Sequence, residues 1–79
     1  MPHYYFDIKQ GASLHLDEPG SEWPDVASAR VEAIKILSEL ASDFTPGMEV
    51  SYFAAVSVRN AAQRVVVSVD LKFDTASFS

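Results

Sequence analysis

The sequence predicts an α+β fold of the ββαββ kind, in which a four-stranded, mainly antiparallel sheet carries one helix packed on one face. Three observations predict it. Apolar and polar residues alternate from Tyr4 to Asp17, apolar residues recur with helical spacing between Val26 and Phe44, and strict alternation returns from Val50 to Phe73. One domain over residues 1–79 holds these elements, with strands at about 3–9, 13–17, 50–59 and 64–73 and a helix at about 26–44.

In the first strand Tyr4, Phe6 and Ile8 point one way and Tyr5, Asp7 and Lys9 the other, as a half-buried strand requires. Gln10-Gly11-Ala12 interrupts the pattern, and Leu14 and Leu16 resume it. Opposing core residues then place Ile8 opposite Leu14 and Phe6 opposite Leu16, with a three-residue loop in which Gly11 takes a positive φ. In that register His15 faces Asp7 on the outer surface.

Asp17-Glu18-Pro19-Gly20-Ser21-Glu22-Trp23-Pro24 is an irregular acidic stretch that ends at a helix start. Asp25 is the expected N-cap, because its carboxylate can accept from the first-turn N–H groups and suits the positive end of the helix dipole. Trp23, just before it, is placed to fold over the first turn as a staple does. Along the helix Val26, Ala29, Ala33, Ile36, Leu37, Leu40, Ala41 and Phe44 gather on one side, with Ile34 at the margin. Arg30 falls inside that stripe, so its guanidinium must snorkel out or meet a carboxylate. Thr45-Pro46-Gly47 ends the helix.

The third strand puts Val50, Tyr52, Ala54, Val56 and Val58 on one face and Phe53, Ala55, Ser57 and Arg59 on the other. The fourth alternates Val65, Val67, Val69, Leu71 and Phe73 with Val66, Ser68, Asp70 and Lys72. Pairing Val58 with Val65 leaves Asn60-Ala61-Ala62-Gln63 as the loop. Val56 then meets Val67 and Ala54 meets Val69, and the tail around Phe78 frays. Numbering the four strands along the chain, the order two-one-three-four makes every neighbour antiparallel with one helical crossover.

Composition narrows function by exclusion. The net charge of −5 disfavours phosphate backbones and anionic lipid as partners. With no cysteine there is no disulfide, thiolate nucleophile or zinc-thiolate site. Met1-Pro2-His3-Tyr4-Tyr5-Phe6-Asp7 lacks the pattern of a signal peptide, and no run approaches the roughly 20 apolar residues of a membrane span, so a cytoplasmic protein is expected. Phosphate-binding Gly loops and His-x-x-x-His or Cys-x-x-Cys pairs do not occur. The expectation is no enzyme, no catalytic residues, no cofactor and no metal.

The run Met1-Pro2-His3-Tyr4-Tyr5-Phe6-Asp7-Ile8, then Asp17-Glu18-Pro19-Gly20-Ser21-Glu22-Trp23-Pro24-Asp25, then Ala29-Arg30-Val31-Glu32-Ala33 resembles the small proteins of rhizobia and related alphaproteobacteria classed as a domain of unknown function. The resemblance spans nearly the whole chain, its second half matching as alternating strands, and Trp23 stands where the family more often has Leu. It implies a stand-alone bacterial protein and transfers no activity, cofactor or catalytic residue.

Two groups of residues remain as candidates. The uncovered sheet face gathers Tyr5, His15, Phe53, Ala55 and Val66, the aromatic and apolar composition of a partner surface. Arg30 with Asp17, Glu18, Glu22 and Asp25 forms a candidate structural clasp at the helix start, or else an oxygen-rich loop for a small ligand or hard cation. The leading expectation is a non-catalytic protein-interaction domain that forms a homodimer through the uncovered face or an edge strand. The alternative is a regulatory module, since hairpin-helix-hairpin domains resemble, by fold alone, the partner-binding half of HicB-type antitoxins. That alternative requires a DNA-binding segment or a basic face, and the sequence displays neither.

Overall fold

The computed structural model describes residues 1–43 and 51–74. Its elements run β1 (His3–Gln10), β2 (Ser13–His15), β3 (Ser21–Glu22), α1 (Val26–Asp43), β4 (Ser51–Arg59) and β5 (Val65–Asp74). The sheet order is β2-β1-β4-β5, with every pair antiparallel, and β3 pairs with β1 as well. This is the expected α+β plan and strand order with one short strand added. The expectations for Phe44, Thr45-Pro46-Gly47, Val50 and Phe78 lie outside the described residues.

The core lies between α1 and the strands β1, β4 and β5. Tyr4 and Phe6 enter it from β1, Ala54, Val56 and Val58 from β4, Val67 from β5, and Ala29, Ala33 and Leu37 from α1. Ala29 and Ala33, four residues apart and fully buried, let the helix backbone approach the sheet closely. Asp25 caps α1 as expected: its Oδ1 accepts the Ser28 N–H at 2.7 Å. The stripe is narrower than its spacing suggested, since Val26 and Ile34 are exposed. They flank the line of contact with the sheet, where curvature leaves the margins of a helix in water.

Both hairpins depart from the expected registers. In the first, Ile8 faces His15 and Lys9 faces Leu14, so the turn is the two-residue Gly11-Ala12, with Gly11 at φ 55°. A one-residue slip exchanges faces, and it moves His15 to the helix side and Leu14 to the outer side. Burial does not oppose the slip, because α1 packs on β4 and β5 and leaves Leu14 and Leu16 exposed. The preferred two-residue turn therefore decides.

In the second hairpin Val58 faces Val67, Val56 faces Val69 and Ala54 faces Leu71, two residues from the expected pairing. One residue of that shift comes from Gln63, whose φ of 67° closes the turn beneath the Asn60 N–H to Arg64 carbonyl bond. The other comes from a bulge: Arg59 pairs with Val65 although Val58 pairs with Val67, leaving Val66 unmatched. Two odd slips sum to an even one, so Val67, Val69 and Leu71 still face the helix. Val65 does not; it lies opposite Arg59 and is 60% exposed.

Candidate interaction surface

β1 sends His3, Tyr5 and Asp7 to the face away from α1, and β4 sends Arg59 there directly opposite Tyr5. Arg59 is thus diagonal to Asp7, within reach of a long side chain. Its Nε lies 2.6 Å from Asp7 Oδ2 and its Nη2 3.0 Å from Oδ1, a two-pronged pair. The Asp17 N–H donates to Asp7 Oδ1 at 3.0 Å, Arg59 Nη2 reaches the Asp17 carbonyl at 3.3 Å, and Arg59 Nη1 donates to Gln63 Oε1. The guanidinium carbon sits 4.9 Å from the centre of the Tyr5 ring.

Asp7 is the buried charged residue of the described chain, 8% exposed. Burial works against its charge, but the Arg59 hydrogen bonds, the Asp17 N–H and the attraction of the Arg59 charge outweigh it and hold the carboxyl below its ordinary range. The same pairing pushes Arg59 further up. Asp7 and Arg59 therefore form a neutralised lock between the first and fourth strands.

The segment after β2 wraps this lock. Asp17 accepts the Phe6 N–H at 3.0 Å and the Gly20 N–H at 3.1 Å, so its carboxylate stands in for a strand neighbour between β2 and β3. Gly20, at φ 65°, lies so close that a Cβ there would fall 2.6 Å from His3 Nε2 and 2.8 Å from Tyr5 Cε1. His3 Nε2 hydrogen-bonds the Pro19 carbonyl at 2.8 Å and its ring meets Tyr5 edge-on. The chain then passes to the helix side, where Trp23 packs edge-on against Phe6 and donates to Ser21 Oγ at 2.8 Å.

Of the candidate face residues, Tyr5, Phe53 and Ala55 lie half-buried on the outer side and Val66 lies exposed on β5. His15 is separated from them by the hairpin slip: it stands beside Ile8 on the helix side, and Asp7 is bound by Arg59 instead. The candidate clasp does not assemble either. Arg30 is exposed and makes no ion pair among the described residues, Glu18 and Glu22 are exposed, Asp17 binds backbone N–H groups, and Asp25 caps the helix. The described residues hold no group of three or more His, Asp or Glu arranged around a metal position. Sequence reasoning placed Asp7 and Arg59 on one face but missed their pairing, whose only signal was the shared parity of Tyr5, Asp7 and Arg59 on neighbouring strands.

The two sides of the sheet end differently. β1 is closed along its length: β2 pairs Ile8 to Gln10, the Asp17 carboxylate takes the Phe6 N–H, and β3 pairs His3 and Tyr4. Among the described strands β5 pairs with β4 alone, so its other side is a sheet edge.

These features define a small α+β domain, one helix over an antiparallel sheet with a short, interrupted edge at β2 and β3 and a long edge at β5. The chain belongs to the family described as Domain of unknown function (DUF6894), whose sequence model matches residues 3–72. No curated protein matches the chain. No solved structure matches it. No helix among the described residues is long and apolar enough to cross a membrane.

Proposed function

We propose that this chain is a non-catalytic, cytoplasmic protein-interaction domain that forms a homodimer by pairing β5 with β5 of a second copy. The observation that carries the reading is the contrast between the sheet's two edges among the described residues, one made of the short strands β2 and β3 with the Asp17 carboxylate between them and the other a single long strand, β5. An antiparallel pairing centred on Leu71 sets Asp70 of each copy opposite Lys72 of the other on the outer face, giving two complementary contacts. It spans Ser68 to Asp74 and stops short of the bulge at Val66, where the strand no longer presents a regular ladder. Centring on Asp70 would oppose two like charges, and centring on Ser68 would oppose Arg64 and Lys72. The non-catalytic part of the reading is supported by the engagement of the ionisable groups nearest the lock: His3 is tied to Pro19, and Asp7 is neutralised by Arg59.

Light scattering across a concentration series tests the reading, with a mass of twice the chain expected; a strict monomer at high concentration overturns it. Charge exchange tests the register. Lys72→Asp weakens the dimer, Asp70→Lys weakens it likewise, and mixing the two variants restores a heterodimer because both cross-strand contacts become opposite in sign. If neither single change alters association, the Leu71-centred pairing is wrong.

A further inference from the structure

On the helix side, beyond the margin of α1, lies a groove of about 410 Å³ lined by Phe6, Ile8, Leu16, Trp23 and Ile36 with His15, Asp17, Ser21 and Glu32. It exists because α1 packs over β4 and β5 and leaves the β1–β2 side of the sheet open, so that Trp23 and the chain around Leu16 make the opposite wall. Its volume is in the range of small-ligand sites, roughly 300–1,000 Å³.

The polar lining is not uniform in what it has left to offer. Asp17 already receives the Phe6 and Gly20 N–H groups, and Ser21 Oγ accepts from Trp23 Nε1. Glu32 and His15 are different, since neither side chain makes a hydrogen bond or ion pair with any other described residue; His15 is exposed, and Glu32 is half-buried one turn before Ile36. No Lys or Arg among the described residues lines the groove. A carboxylate without a partner among the described residues, on a groove it shares with Trp23 and Phe6, suits a cation, because a carboxylate and the face of an aromatic ring both attract positive charge.

We propose that this groove binds a small organic cation, an ammonium group carried on an aromatic or branched apolar body. The apolar body covers Phe6, Ile8 and Ile36, and the ammonium donates to Glu32 from beside the Trp23 ring. Binding here is independent of β5, which lies across the sheet.

Trp23 is the single tryptophan of the chain, so its emission reports directly on occupancy. The full chain is titrated with 2-phenylethylamine, with 3-phenylpropionate and with 2-phenylethanol, following Trp23 fluorescence and the methyl resonances of Ile8 and Ile36. Saturable binding of the amine is expected, at least tenfold tighter than that of the carboxylate, with the alcohol between them. Glu32→Gln, at a helix-surface position that leaves the fold intact by circular dichroism, removes the tenfold preference. The proposal is overturned by the absence of saturable binding, by equal affinity for amine and carboxylate, or by a preference that survives Glu32→Gln.

Discussion

Replacing Asp7 with Asn removes the charge of the lock while keeping its shape. The amide oxygen can still accept the Asp17 N–H and the Arg59 Nη2–H at the Oδ1 position, but the carboxylate charge and the Nε bond at Oδ2 are lost and an NH₂ group there turns toward the guanidinium. Breaking a buried ion pair by losing one partner costs roughly 3–5 kcal/mol. Here the Arg59 side chain is 21% exposed and keeps its Gln63, Asp17 carbonyl and Tyr5 contacts, so part of that cost is recovered by water and by those partners. An Asp7→Asn loss of about 2–3 kcal/mol is expected. For a domain of this size that corresponds to a drop in Tm on the order of 10–20 °C.

Urea and thermal unfolding measure the loss, and pH provides an independent check on its origin. Asp7 is held below its ordinary value of 3.8 in the folded protein, so its stabilising contribution is complete above that value and disappears as pH falls through the lower folded one. The native chain should therefore lose stability as pH falls below about 4. The Asp7→Asn chain should start less stable and lose less on acidification. Asp25, also held low by the Ser28 N–H and hydroxyl, contributes an acid-sensitive slope of the same sign that both chains retain. A loss below about 0.5 kcal/mol, the ordinary scatter of surface substitutions, or identical acid slopes in the two chains, would refute the lock.

Two further outcomes follow from packing. Gly20→Ala should cost about 2 kcal/mol, because the added Cβ must displace His3 and Tyr5 and the positive φ is strained. Gly11→Ala should cost only about 1 kcal/mol, since its Cβ meets nothing within 4 Å and the backbone strain acts alone. Equal losses in urea titrations would show that the wrap of residues 17–20 over β1 is not tight. Leu37→Ala should cost about 3 kcal/mol by opening a cavity beneath α1, whereas Val31→Ala, on a side chain 65% exposed, should stay within about 0.5 kcal/mol.

Much of the fold was legible because alternation and helical period are local. Tyr4, Phe6, Val56, Val58 and Val67 face inward wherever the register settles, provided slips come in even numbers, and the second hairpin satisfied that condition through two separate irregularities. The first hairpin did not, and His15 changed faces with it. Its side of the sheet carries no helix, so no burial term punished the slip. The clasp at Arg30 failed for a related reason: nearness in sequence put carboxylates within reach, but Asp17 and Asp25 found backbone N–H groups that were closer and already oriented.

The sequence by itself determined the element types and much of the inward set of side chains, because both depend on spacing within a few residues, and the strand order followed from keeping every neighbour antiparallel with one helical crossover. Only the tertiary structure decided that Asp7 meets Arg59, that Asp17 pairs with β1 between β2 and β3, that Glu32 lines a groove and that β5 has one neighbour among the described strands. Those outcomes depend on how β1 aligns with β4 across a helical crossover. A crossover, unlike a tight turn, imposes no register, so the alignment emerges from packing the whole domain at once.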